Sequence, residues 1–495
     1  MPVAVREVEN GAVVSDAVDA RDNALHSASI APARDDVVPG HRPARLAVIA
    51  IMSLVTLSAA WGQRPPLAIT DVTLIDGTGG AARPHVTVVV DDGKIISVDS
   101  AVRAVVPASA TVIPGRGKFL IPGLWDMHVH LAKAGAPALA LFVANGVTSV
   151  RDMGGDFAVV QRWRAEIDAR ARVGPRVRTA GPILESAEHV RNMKASGTVE
   201  AVDRFRAPVA DTADARRVVD SVARLGVDFI KVRTAASQQS YQAIASAARS
   251  AGLTLAAHGD VASPEEMLRA RQRSIEHVIY PPLQKRDAAT RARLIRELAA
   301  ARVAIVPTMV NYYQWLLVSP AEARRIVDDS LGRLDARRKY ISGYLLEDWR
   351  EQVDERGGVK DALIRWFYLP WVYRGVLRDL QEMHRAGVPI LPGTDVAVAL
   401  QYPGFSLLEE LGYFVDKIGM TPMEALVSAT RSAAELSGMA DSLGTIAVGK
   451  RADLVLLDAD PLADVRNVGR IHAVVARGDL FDRAALSGLL ASTAR

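Results

Sequence analysis

Leu120-Ile121-Pro122-Gly123-Leu124-Trp125-Asp126-Met127-His128-Val129-His130 is the stretch on which the fold turns. It is an apolar run that ends in an HxH pair. On a β-strand, side chains two apart point the same way, so His128 and His130 can present both imidazoles to one ion. Alone the pair is weak evidence, and its weight depends on what the chain supplies downstream.

Downstream, short apolar strands alternate with helical stretches: Phe229 to Val232, Thr254 to Ala257, Val303 to Pro307 and Val388 to Leu391. Such alternation argues for βα units and a parallel sheet. With 495 residues the chain is long enough for an α/β fold of the (β/α)8, TIM-like barrel kind, expected over residues 119–442. In a parallel barrel the chemistry sits at the carboxyl ends of the strands. Those ends carry Lys231, then His258, then His277 after Ser274-Ile275-Glu276, then Asp395 after Leu391-Pro392-Gly393-Thr394. A lysine closing an apolar strand is costly as a buried ammonium unless it is paired or chemically altered. Carboxylation by carbon dioxide would turn it into an anion able to bridge two cations.

Both ends of this body are β-rich. Leu67 to Ile75, Val86 to Val90 and Lys94 to Val98 are set off by turns at Gly79-Gly80 and Asp91-Asp92-Gly93. Gly444-Thr445-Ile446, Ala452 to Leu457 and Ile471 to Ala476 give the same signal near the other end. The expectation is one small β-sandwich built from residues 67–118 and 443–495. Between Asn311 and about Arg385 the βα rhythm breaks into a helical insertion over the barrel mouth. Tyr312, Tyr313, Trp315, Trp349, Trp366, Tyr368, Trp371 and Tyr373 concentrate there, either packing the insertion or lining a substrate pocket.

Residues 1–62 read as a leader. Arg42 and Arg45 precede an apolar run from Leu46 to Ala60, followed by the polar Gln63 to Pro66, which is the shape of a secretory signal. The run falls short of the roughly 20 residues that span a bilayer. The expectation is therefore an exported, periplasmic or secreted protein with no stable membrane span after signal cleavage. The chain has no cysteine, which excludes disulfides, thiolate zinc sites and a cysteine nucleophile. Its net charge is only +4 and its arginines are dispersed, so no nucleic-acid partner is expected.

The order HxH, Lys, His, His, Asp on successive strands, inside a split β domain, resembles the amidohydrolase superfamily. The likeness is to its imidazolonepropionase-like branch of Xaa-Pro and Xaa-Arg dipeptidases and ochratoxinase-like amidases. It covers roughly Leu67 to the C-terminus and is most specific at Ile121 to His130, Phe229 to Val232, Ser274 to His277 and Pro392 to Asp395. The resemblance implies two divalent ions. His128, His130 and Asp395 would hold the more buried one, His258 and His277 the exposed one, and carboxylated Lys231 would bridge them. Zinc is the expected metal, and manganese or iron suits the same donors. Water shared by the two ions would supply hydroxide near neutral pH, and Asp395 would carry its proton to the leaving amine. Asp126 and Glu276, neighbours of ligand histidines, are candidates to orient an imidazole.

The implied reaction is hydrolysis of an amide or peptide bond in a dipeptide or N-acyl amino acid. For the substrate carboxylate the candidates are Arg233, weighed against a structural ion pair, and His189, weighed against a plain surface histidine of the Gly181 to Ser196 loop. Asp260 stands where dipeptidase relatives often carry a second histidine. A mononuclear deaminase is the nearest rival, opposed by Lys231. A lactonase or phosphotriesterase could use the same ions, and a binding module that has lost its ligands is opposed by the presence of all six. A homo-oligomer is the default for a soluble enzyme.

Overall fold

Gly123 divides the deciding stretch into two strands that serve different sheets. A side chain there would overlap Thr148, so only glycine lets the chain pass from one sheet to the other. The computed structural model describes residues 65–195, 204–277, 283–341, 343–354 and 369–494. The leader, Trp366 and Tyr368 lie outside these residues.

The first sheet joins both ends of the described chain. Its members are β1 (Leu67–Leu74), β2 (Arg83–Asp91), β3 (Lys94–Ser100), β4 (Thr111–Pro114) and β5 (Phe119–Pro122). From the C-terminal end come three more strands, Leu454–Leu457, Ile471–Ala476 and Asp479–Phe481. All eight belong to one sheet in which β5 lies between β1, its parallel partner, and Leu454–Leu457, its antiparallel partner. The apolar face of this sheet forms its own core, with Val72, Leu74, Val88, Leu120, Leu454 and Val475 buried together.

The second half of the deciding stretch, β6 (Leu124–Val129), is buried at all six positions. That is why it reads as a nearly continuous apolar run and not as an alternating one. It pairs in parallel with β7 (Val147–Asp152), which pairs with β8 (Arg176–Thr179). A six-stranded parallel sheet follows from β9 (Ile183–Ser186), β10 (Arg206–Val209), β11 (Ile230–Val232), β12 (Leu255–His258), β13 (Ser274–Glu276) and β14 (Ala304–Val306). Its spatial order is β10-β9-β11-β12-β13-β14. The amide of Asp228 donates to Thr179 O at 2.9 Å, linking β8 to the start of β11.

The strand expected over Val388 to Leu391 is reduced to a single bridge between Ile390 and Ile305. Proline has no N–H to donate, and Pro389 and Pro392 interrupt the ladder. Three bonds hold the segment: Ile305 N donates to Pro389 O at 2.8 Å, Leu391 N to Ile305 O at 2.9 Å, and Met127 N to Pro392 O at 2.9 Å. It therefore lies between β14 and β6 and carries Asp395 to the same end of the sheets as His128 and His130.

Helices cover the stretch after β14: Met309–Leu317, Pro320–Asp328, Gly343–Asp354 and Leu369–Arg385. The second is started by Ser319, whose hydroxyl accepts from the Glu322 amide, with Pro320 in the first turn. Of the aromatics concentrated here, Trp349 is fully buried and donates to Ala397 O at 3.2 Å, whereas Trp371 is exposed. Among the described residues, no helix is long and apolar enough to cross a membrane.

Candidate metal centre

His128 and His130 leave the end of β6 on the same side, as the two-residue spacing requires, and Asp395 meets them from the proline-flanked segment. One Asp395 carboxylate oxygen stands 3.4 Å from Nε2 of each histidine. Candidate ligand atoms of these three residues all fall within 4.8 Å of one another, close enough to share one divalent ion. Gly393 permits this approach, because a Cβ there would lie 2.6 Å from Val306 Cγ1 and 2.7 Å from His128 Cβ.

The far nitrogens of the rings are already engaged. His128 Nδ1 is 2.9 Å from Glu276 Oε2, and His130 Nδ1 is 3.0 Å from Gly154 O. An acceptor behind each ring places the proton on Nδ1 and leaves Nε2 with its lone pair facing the site. Glu276 is itself fixed by Arg151 and by the Ser274 hydroxyl at 2.6 Å. Burial would raise its carboxyl, but the Arg151 charge and the His128 contact outweigh that and hold it ionised, well below the usual carboxylate range. Asp126, the other neighbour singled out in the sequence, touches no imidazole. It accepts from the backbone amides of His128 and Thr394 and from the Thr394 hydroxyl, and so ties β6 to the Asp395 segment.

His258 and His277, at the ends of β12 and β13, lie beside this group. The His277 ring centroid is 4.7 Å from that of His128 and 4.6 Å from that of His258. His277 Nδ1 faces the Thr308 hydroxyl at 2.9 Å, again leaving Nε2 for the site. Burial and neighbouring positive charge push the His277 imidazolium down to about 3 and His258 well down, so both rings are neutral donors at physiological pH. His277 and Asp395 both sit at positive φ, 64° and 59°, strained backbone that places a chemical group at the expense of stability.

Lys231 is the middle residue of β11 and is 1 % exposed. Among the described residues its Nζ has no hydrogen-bond partner, and neither has the buried His128 Nε2. Burial pushes the Lys231 ammonium down to about 7, although the charges of Glu276 and Asp395 oppose that shift. A buried amine without a partner, among neutral imidazoles and an ionised Asp395, is the donor chemistry that fits divalent cations and a carboxylated lysine.

His189 and Arg233 form a separate polar group, although the Arg233 charge is felt at Lys231 and His258. Arg233 Nη1 is 3.0 Å from His189 Nε2, and both lie over buried Glu185, with Nε2 of His189 3.2 Å from Oε2. Arg206 reaches the other Glu185 oxygen at 2.8 Å. The expected loop position of His189 is corrected: it lies in the first turn of the Ala187–Ala195 helix, which Ser186 begins by accepting from the His189 amide.

Sequence reasoning missed Asn311 and Thr308. Asn311 Nδ2 donates to the second Asp395 oxygen at 3.1 Å. Both follow the end of β14, and the rule that strand ends carry the chemistry, applied to this strand, would have found them.

A model described as the amidohydrolase family matches residues 119–481. An imidazolonepropionase of Symbiobacterium thermophilum is 26% identical over 486 residues, which cover 89% of this chain and 98% of that protein. An ochratoxinase of Aspergillus niger is 25% identical over 457 residues, covering 82% and 86%. A solved Xaa-Pro dipeptidase with methionine bound in its active site shares the fold, with a TM-score of 0.62 at 21% identity over 84% of this chain and 100% of its own.

Proposed function

The chain belongs to the amidohydrolase family and is a hydrolytic enzyme acting on carbon–nitrogen bonds; from that premise we propose that it is a binuclear metal-dependent amidohydrolase of dipeptides or N-acyl amino acids. The observation that carries this reading is the convergence of His128, His130, His258, His277 and Asp395 beside a buried, unpartnered Lys231 Nζ. His128, His130 and Asp395 would hold one ion and His258 and His277 the other, with carboxylated Lys231 between them. We read the parallel sheets as one (β/α)8 barrel over residues 119–442, with a β-sandwich from residues 67–118 and 443–495 beside it.

When bound, two divalent ions would acidify the water they share and polarise the scissile carbonyl. The remaining work falls to side chains. Asp395 would share an ion with His128 and His130 through one oxygen, while Asn311 Nδ2 holds the other and orients the carboxylate as it takes a proton from the attacking water. That proton passes to the leaving nitrogen as the carbon–nitrogen bond breaks, giving a carboxylate and an amine. Glu276 and Gly154 O keep two imidazoles in the tautomer a ligand needs, and Thr308 holds the His277 ring by its Nδ1 edge. Arg233, beside His189, supplies the guanidinium that would take the free carboxylate of the substrate.

Elemental analysis, with intact mass measured in bicarbonate, tests this. Two ions per chain, a mass gain matching one carbon dioxide, and loss of both ions in Lys231→Ala are expected. One ion that ignores Lys231→Ala would favour a mononuclear deaminase, and no metal at all would favour a binding module.

A further inference from the structure

The turn after β14 touches both halves of the centre. Thr308 holds His277 through its hydroxyl, and three residues on Asn311 holds Asp395. Between them, the amides of Met309 and Val310 point away from the site into a single buried side chain. Glu410 accepts from Met309 N with Oε1 at 2.9 Å and from Val310 N with Oε2 at 2.7 Å. It is fully buried, and it comes from a different helix, Phe405–Tyr413.

This turn would not hold its shape unaided. Thr308 is in the left-handed region, at φ 49° and ψ 49°, which a β-branched residue adopts only under external constraint. The Met309–Leu317 helix that it begins has no side-chain cap from Thr308. Its first N–H groups have no acceptor within the helix, and a single carboxyl group that takes one N–H on each oxygen restrains two of them at once. Tyr313 and Tyr413 stack at 3.9 Å between centroids, joining the same two helices one turn further along. Glu410 thus fixes both the height and the rotation of the turn.

We propose that Glu410 is a positioning residue for the metal centre, setting His277 and Asp395 together through the Thr308–Asn311 turn. The proposal rests on the binuclear reading above. It makes Glu410 more than a helix cap: its loss loosens a ligand of each ion at once, although no atom of it enters the site.

The test is titration of the metal-free full-length protein with Co2+, following the visible absorption of the bound ion and its stoichiometry. Two ions should bind the parent protein. Glu410→Leu, which removes both acceptors without opening a cavity, should weaken the looser ion at least tenfold and change the absorption. Glu410→Gln, which keeps one acceptor, should fall between the two and serves if the leucine variant does not fold. In a Thr308→Ala/Asn311→Ala background the same changes at Glu410 should cost less than twofold, because the connections through which it acts are gone. Parent-like Co2+ binding in a folded Glu410 variant, or an undiminished effect in that background, overturns the proposal and leaves the binuclear reading standing. Failure of the parent protein to bind Co2+ removes both.

Discussion

Glu276 shows how much of a metal site can be decided by a residue that would hold no metal. Its two oxygens divide the work, one taking Arg151 and Ser274, the other the Nδ1 proton of His128. In Glu276→Gln the single carbonyl must stay with Arg151, and the amide N–H2 then faces His128. The ring can meet it only by moving its proton to Nε2, where the proton blocks ligation. Glu276→Gln should therefore fold and lose metal affinity by about 10- to 100-fold, measured by equilibrium dialysis; parent-like retention would mean that His128 is oriented by packing alone. The candidate ligands were legible because each lies in or just after a short apolar stretch of readable pattern. Asn311 was not, because its partner Asp395 lies 84 residues away and no local spacing encodes that contact.

At the scale of the element, the segment carrying Asp395 is the least regular of those at the site. Its prolines deprive it of a full ladder, so its position depends on a few backbone bonds to Ile305, Met127 and His128 and on close contact at Gly393. The pattern of Val388 to Leu391 predicted a strand correctly in place but not in pairing, since apolarity reports burial whereas pairing needs donors. The Ala187–Ala195 helix was hidden for the opposite reason: its capping serine is the last residue of a short strand, and its polar face reads as loop. Gly393→Ala should place a methyl against Val306 and against the His128 backbone, 3.0 Å from its nitrogen. The expected cost is about 1–3 kcal/mol of stability together with reduced metal content, read by urea unfolding and elemental analysis. A variant as stable and as metal-rich as the parent would show that the segment can retreat.

For the molecule as a whole, buried carboxyls tie stability to pH. Burial pushes Glu410 from an ordinary 4.5 up to about 8, against the pull of the Met309 and Val310 amides. The folded chain holds that proton more tightly than the unfolded chain does. Its contribution is therefore complete below about pH 4.5 and is lost as the pH rises through about 8. Between about pH 4.5 and about pH 8 the thermal midpoint of the metal-free parent should fall relative to that of Glu410→Leu; a constant difference between the two would clear Glu410 of the effect. The whole-molecule plan was legible as two β-rich ends around a βα body. That β5 would sit between β1 and Leu454–Leu457 was not, because strand order is settled by contacts between distant stretches. This order has a consequence in time. The ribosome releases β5 early, yet one of its two neighbours emerges only when the chain is nearly finished, and β6, which Gly123 separates from β5, carries His128 and leads directly into His130. A nascent chain thus holds the first two imidazoles of the candidate centre on an anchor paired along one edge alone, and the centre we propose can close only after synthesis is almost done.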